Sequence, residues 1–307
     1  MKNIKNVVIV GLGAIGMIFA SRIQKCEGLN LFALVDTERK VRYEKNGVVF
    51  NNQRYDFDYV LPTNEGNIKA DLIIIATKSY GLNEAITMIE KYVSEDTIII
   101  SQLNGITSEE AISNAYGYNK VLYSMMLGHI STRINKGITH DGHIIIYFGD
   151  KDSNPDSENV LRVKALFDKV GITYKIPTDI KYAMWQKLVA NVGYNQVTAL
   201  TRADYSVLKK GGKTTEIAVK LINEAIKVAK AVGINNTEKI LPDCLAIIEQ
   251  MPANAKSSML QDVEANRQLE VDLFAGTICK LGRKYGVATP YNDVVFELLT
   301  AINERIG

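Results

Sequence analysis

The stretch that decides the fold is Val7–Gly16, VVIVGLGAIG. Four consecutive β-branched residues, Val7 to Val10, suit a strand buried on both faces. They run directly into Gly11, Gly13 and Gly16, spaced G-x-G-x-x-G, and a helical pattern follows over 14–26. Each glycine has a separate task in that setting. The first permits a tight turn, the second lets the backbone approach a pyrophosphate, and the third lets helix and strand pack closely. The helix N-terminus turns its unpaired N–H groups toward the phosphates. Gly11, Leu12, Gly13, Ala14, Ile15 and Gly16 are therefore the expected cradle of a dinucleotide. A glycine turn without a ligand is the plainer alternative, and the strand–loop–helix context argues against it.

Outward from this loop the same alternation continues. Leu31–Val35 reads as a second strand and ends at Asp36, twenty positions after Gly16. A carboxylate there accepts from ribose hydroxyls and repels a 2′-phosphate, which favours NADH. Arg39, Lys40 and Arg42 follow at once. One of them could hold a 2′-phosphate, or all could line a solvated helix face, so the cofactor expected is NADH or NADPH, with NADH favoured. Strands at 72–76, 97–101 and 173–176 alternate with helices at 82–92, 107–115 and 157–170, and 46–61 and 137–149 read as hairpins. Continuously apolar strands separated by helices predict a Rossmann-type, doubly wound parallel sheet. Lys78 and Asn104 follow two of these strands, at the edge where open α/β sheets bind ligands. A surface lysine and an Asn-Gly turn are the plainer readings of those two.

The pattern changes after Pro177. Residues 179–200, 214–232, 238–249, 256–285 and 291–304 read as helices, without a convincing strand. The expected organisation is an α/β chain with a dinucleotide domain at 1–177 and an all-helical substrate domain at 178–307. Within the first of these helices, 185–198 reads WQKLVANVGYNQVT. Lys187, Asn191 and Asn195 fall four apart, so they share one face with a drift of about 40° per step. A lone lysine on such a face usually snorkels to water. Two aligned amides in an apolar frame make a site more probable than that, because asparagine is a poor helix former and costs energy if buried unpartnered. An ammonium can supply both a proton and positive charge to a nascent alkoxide, and each amide can donate two hydrogen bonds without adding charge.

Composition excludes several classes. The 307 residues are 47% hydrophobic and 23% charged, with a formal net charge of +2 and no basic block. Neither nucleic acid nor an anionic membrane is an expected partner. No apolar run approaches the ~20 residues of a bilayer span, and MKNIKNVVIV does not read as a signal peptide. Three scattered cysteines, Cys26, Cys244 and Cys279, look like reduced core thiols, so a cytoplasmic location is expected. His140 and His143 have ligand-like spacing, but with His129 they fit a polar turn, and no metal is expected. Apolar faces on the late helices would suit a homodimer or a domain interface equally.

These residues together resemble the ketopantoate reductase (2-dehydropantoate 2-reductase) family along nearly the whole chain. The matching stretches are GLGAIG at 11–16, ATKSY at 76–80, QLNGI at 102–106, WQKLVANVGYNQVTAL at 185–200 and SSMLQDVEANRQLEVD at 257–272. The last two have no counterpart in Rossmann enzymes generally. The resemblance implies NAD(P)H-dependent reduction of a 2-keto acid, most simply ketopantoate to pantoate. It implies Lys187 as the general acid, with Glu270 close by to set its charge and position and to meet the cofactor. It implies that Asn191, Asn195 and Ser258 hold the carboxylate and hydroxyl ends of the substrate. Asn104 and Lys78 would lie near the nicotinamide ribose and the reacting carbon. Asp36 departs from the basic residue that many members carry, which puts NADPH in doubt and leaves as a rival a D-2-hydroxyacid dehydrogenase acting on branched keto acids with NADH. A rival of another class is a non-catalytic NAD(H) sensor, which would keep the glycine loop but have no reason to keep Lys187, Asn191, Asn195, Ser258 and Glu270 together. Ser258 and Glu270 are twelve residues apart, about 18 Å on a straight helix. Both can serve one small substrate only if the chain breaks somewhere in 262–269.

Overall fold

The computed structural model describes residues 2–128, 132–134, 137–139, 144–209 and 211–306. Its chain divides into two compact units, Met1–Ile180 and Lys181–Gly307.

The first unit begins with β1 (Asn6–Val10), α1 (Ala14–Ile23), β2 (Asn30–Leu34) and α2 (Thr37–Asn46). Three short strands follow, β3 (Val48–Phe50), β4 (Gln53–Tyr55) and β5 (Asp58–Val60). Then come β6 (Leu72–Ile75), α3 (Leu82–Met88), β7 (Ile98–Ser101), α4 (Ser108–Tyr116) and β8 (Val121–Gly128). The unit closes with β9 (Thr132–Ile134), β10 (Gly137–Thr139), β11 (Ile144–Gly149), α5 (Glu158–Val170) and β12 (Tyr174–Lys175). Among the described residues the main sheet has the order β12-β11-β8-β7-β6-β1-β2-β5. All neighbours from β8 to β5 are parallel, while β11 runs antiparallel to β8. Chain order reverses between β1 and β6, so a crevice at their carboxyl ends is the expected ligand position.

Register places that edge. Val10 lies opposite both Leu34 and Ile75, and Ile75 lies opposite Ser101. The loops after β2, β1, β6 and β7 therefore leave the sheet side by side at one level. Val7–Val10, Leu72–Ile75 and Ile98–Ile100 are buried. Helices cover both faces, which is why these strands are continuously apolar and do not alternate. Phe19 of α1, Phe148 of β11 and Phe167 of α5 pack together on one face, with ring centroids 6.0 and 5.3 Å from Phe167. Ala85 and Met88 of α3 and Ile112 of α4 join the core on the other.

Two expectations need correction in this unit. Residues 137–149 are not a hairpin: β10 pairs with β9 and β3, whereas β11 joins the main sheet against β8. Only β3 and β4 of the segment 46–61 form a hairpin, and β5 is a parallel edge strand on β2. The glycines and alternation mark strands there, but the partners are set by contacts far along the chain. Strand β8 was not anticipated; its run VLYSMMLG is apolar without alternation, which periodicity does not separate from a buried helix. His129, His140, Asp141 and His143 lie outside the described residues.

The second unit is helical: α6 (Ile180–Thr201, its first residue grouped with the sheet), α7 (Ser206–Lys209), α8 (Lys213–Val232), α9 (Ile240–Gln250), α10 (Ser258–Glu264), α11 (Ala275–Tyr285) and α12 (Pro290–Glu304). Helix α8 buries Leu221, Ile222, Ala225, Val228 and Ala229 along one stripe. A Cβ at Gly193 of α6 would stand 2.5 Å from Ile222 Cγ1, so the glycine permits the close approach of α6 to α8. Buried Glu224 of α8 starts α12: it accepts from the Tyr291 and Asn292 amides (3.0 and 2.9 Å) and from Asn292 Nδ2 (2.8 Å). The single helix expected at 256–285 is instead two helices separated by residues 265–274.

Candidate active site

The glycine loop has the shape its spacing predicted. Gly11 has φ +99°, and a Cβ there would lie 2.6 Å from Ala76 O. A Cβ on Gly16 would lie 1.9 Å from Gly11 O, so the third glycine is required by helix–loop packing. Gly13 is different. It caps α1 with φ −79°, and a Cβ there would meet nothing within 4 Å. Packing within the unit does not require Gly13, whereas a pyrophosphate approaching the backbone does. No side chain caps α1, so its first N–H groups are not satisfied in that way. Thr77, whose amide abuts Gly11, has a buried Oγ1 with no hydrogen-bond partner. A glycine cradle, an uncapped helix start and an orphaned hydroxyl fit a bound dinucleotide phosphate group.

The other expected residues of this unit share the edge. Lys78 is exposed, at the start of the one-turn helix Ser79–Gly81 just after β6. Asn104 is half-buried after β7, and Gly105 turns the chain with φ +89°. Asp36 stands at the end of β2 and caps α2: its Oδ1 accepts from the Arg39 amide at 2.6 Å. Its Oδ2 accepts from Arg39 Nη1, also at 2.6 Å. The carboxylate assigned to ribose is thus already joined to a cation of its own helix.

In the helical unit, α6 carries Lys187, Asn191 and Asn195 as one row. Lys187 and Asn191 are half-buried and Asn195 is buried. Asn195 Nδ2 donates to Asn191 Oδ1 at 3.3 Å and to Ser258 Oγ at 3.5 Å. Three residues expected to grip substrate are therefore brought together from α6 and α10. Both contacts are long for N–H···O bonds, so they align the groups while leaving hydrogen-bonding capacity for a ligand. The alignment is enforced one layer below. Thr198 Oγ1 and Ser257 Oγ lie 2.8 Å apart, both buried, and Ser257 Oγ accepts from the Leu260 amide to cap α10. Gln196 Oε1 accepts from the Ala275 amide at the start of α11 (3.0 Å). Small hydroxyls in an apolar helix gave no distinctive signal in the sequence, so this tie between α6 and α10 was missed.

Glu270 is half-buried and immediately precedes a one-turn helix, Val271–Leu273. The chain breaks where the twelve-residue spacing required it. Helix α10 ends at Glu264, and Asn266 adopts φ +49°. Arg267 closes the turn with its amide on Asp262 O (2.9 Å) and its Nε on Asp262 Oδ1 (2.7 Å). Asn303 of α12 then clamps Leu269, accepting from its amide at 2.7 Å and donating to its carbonyl at 3.0 Å. This side-chain amide substitutes for a neighbouring strand and fixes the backbone next to Glu270. No group of three or more His, Cys, Asp or Glu arranged to hold a metal occurs among the described residues. No helix among them is long and apolar enough to cross a membrane.

Comparison with known proteins identifies the family and the fold. Residues 7–153 match the family model described as ketopantoate reductase PanE/ApbA, and residues 179–303 match its C-terminal counterpart. A 2-dehydropantoate 2-reductase of Aquifex aeolicus is 26% identical over 305 residues, covering 96% of each chain. A dimeric ketopantoate reductase from Staphylococcus aureus has the same fold at TM-score 0.77 and 23% identity, covering 98% of this chain and all of that one. A D-mandelate dehydrogenase solved with NADH reaches TM-score 0.84 at 23% identity, over 98% of this chain and all of that one. The chain belongs to the ketopantoate reductase family and is an oxidoreductase.

Proposed function

We propose that this chain reduces a 2-keto acid to its 2-hydroxy acid with a nicotinamide dinucleotide, ketopantoate to pantoate first among substrates, and that Lys187 is the general acid. The observation that carries the reading is the polar row of Lys187, Asn191 and Asn195, which meets Ser258 in an otherwise apolar helix of a family member. When bound, the reduced nicotinamide supplies the hydride to the keto carbon. The glycine loop and the α1 N-terminus hold the pyrophosphate, with Thr77 Oγ1 available to it. Lys78 and Asn104 serve the nicotinamide ribose. Asn191, Asn195 and Ser258 hold the carboxylate and hydroxyl ends of the keto acid through donors that bring no net charge. The Lys187 ammonium steadies the developing alkoxide and passes it a proton, then recovers one from solvent. Glu270 sets the charge and position of Lys187.

The exposed Tyr291, Val294 and Leu298 form one stripe on α12, and we extend the reading to a homodimer through it, in line with the dimeric S. aureus protein. Light scattering on the purified chain checks this.

Oxidation of NADH and NADPH with ketopantoate and with 2-ketoisovalerate tests the activity. Lys187→Ala should lower kcat by about 10²–10⁴-fold with dinucleotide affinity little changed; an unchanged kcat removes the general-acid role. Turnover of 2-ketoisovalerate alone would make the chain a branched 2-hydroxyacid dehydrogenase, and dinucleotide binding without any turnover would make it a sensor.

A further inference from the structure

We infer that Arg39 is a movable counter-charge that lets this chain take NADH and NADPH with comparable affinity. Arg39 rests on Asp36 when the adenosine ribose bears a free 2′-hydroxyl and turns to the 2′-phosphate when it bears one. The inference rests on the reading that the glycine loop holds a nicotinamide dinucleotide.

The geometry begins with register. Leu34 lies opposite Val10, so Asp36 emerges beside the glycine loop, where the acidic residue of this motif meets the ribose. A bare carboxylate there excludes a 2′-phosphate by repulsion. This carboxylate is not bare. Its Oδ2 accepts from Arg39 Nη1 at 2.6 Å, so the pair has no net charge. Each carboxylate oxygen has two lone-pair directions, so Asp36 can hold Arg39 and still accept from ribose hydroxyls.

The guanidinium is equally free to serve a phosphate. It commits one of five donors to Asp36, and a planar fork suits bidentate phosphate binding. The Asp36 and Arg39 side chains are 37% and 49% exposed, so breaking the pair costs little. Helix α2 keeps its start whichever way Arg39 points. The cap runs through the Arg39 backbone N–H to Asp36 Oδ1, independent of the side chain. The two neighbouring cations are directed elsewhere: Lys40 Nζ lies 3.9 Å from Glu44, one turn along α2, and the Arg42 guanidinium lies over the Tyr43 ring at 5.1 Å.

Dissociation constants of NADH and NADPH for the full chain, from nicotinamide fluorescence titrations at low and high salt, test the inference without turnover. The wild-type constants should agree within about tenfold. Arg39→Ala and Arg39→Gln should weaken NADPH by about 10–100-fold, less at high salt, and NADH by under about threefold. Asp36→Asn, which retains a good cap, should weaken NADH and tighten NADPH. Lys40→Ala and Arg42→Ala should leave the ratio within about twofold. A wild-type preference beyond about tenfold overturns the inference, as does an Arg39 effect that is equal for both cofactors or absent. Thermal melts by circular dichroism confirm folding, and Arg39→Gln decides where Arg39→Ala unfolds. If the folded wild-type chain binds neither dinucleotide, the glycine-loop reading fails and takes this inference with it. If both bind but Arg39 is indifferent, only this inference fails.

Discussion

Replacing Asn303 with alanine should both destabilise the helical unit and impair catalysis, although Asn303 belongs to the last helix and to no motif. Its amide makes two hydrogen bonds to one backbone residue, 2.7 Å from the Leu269 N–H and 3.0 Å to the Leu269 carbonyl, across 34 residues of chain. Leu269 is 4% exposed, so truncation leaves a donor and an acceptor with little access to water. An orphaned buried group costs about 1–3 kcal/mol. Asn303 itself is half-buried, so water can reach part of the vacated space, and the low half of the range applies. At about 1–2 kcal/mol for each of the two groups the expected loss is about 2–4 kcal/mol, read as a lower urea midpoint at unchanged m-value. Asn303→Asp keeps the acceptor for the Leu269 amide but sets a carboxylate against the Leu269 carbonyl, so it should not rescue. Glu270 is the next residue, and a loosened Leu269 displaces it; kcat should fall with ketopantoate as substrate. A stability loss below about 0.5 kcal/mol would refute the clamp. A full loss with unchanged kcat and KM would show that the clamp does not set the position of Glu270.

The three loop glycines should separate by experiment: Gly16→Ala, with its Cβ 1.9 Å from Gly11 O, should lower thermal stability by about 1–3 kcal/mol or more. Gly13→Ala meets nothing within 4 Å and should fold normally while weakening dinucleotide binding in a fluorescence titration; normal binding would remove the close backbone approach. A thiol reagent at neutral pH should modify Cys26 rapidly, and Cys244 and Cys279 only after unfolding, because burial pushes both of those thiols up to about 12; three fast equivalents would refute this. Burial alone would raise Asp71, but the Asn6 and Lys5 amides that it accepts from (3.0 and 2.9 Å), together with Lys2, outweigh burial and hold its carboxyl below the ordinary carboxylate range. A carboxyl depressed by folding stabilises fully above its unfolded value near ~4 and loses that contribution as pH falls through its native value, so Asp71→Asn should flatten the acid side of the stability profile measured by urea melts between neutral pH and pH ~3.

What was legible in the sequence was whatever one element carries by itself. The run Val7–Val10 is buried on both faces of a parallel sheet, and its composition alone demanded that. Lys187, Asn191 and Asn195 share a face because a helix repeats every 3.6 residues, and no distant contact was needed to see it. The break between Ser258 and Glu270 was legible for the opposite reason: a straight helix would have kept them too far apart for one substrate. Pairing between distant segments was not legible. Strand β10 reads as the partner of β11 by proximity, yet it pairs with β3, far back in the chain. The residue before Glu270 is held by Asn303, an asparagine whose surroundings carry no signal until the fold brings it to Leu269. Asp36 was legible only in part. Its spacing from Gly16 marked a candidate ribose ligand, and Arg39 three residues later was read as a separate, competing signal. One helical turn makes them a single unit, because residues i and i+3 are neighbours at a helix start and the carboxylate can cap the helix and hold the guanidinium together. The two signals that seemed to argue for different cofactors are therefore two halves of one ion pair.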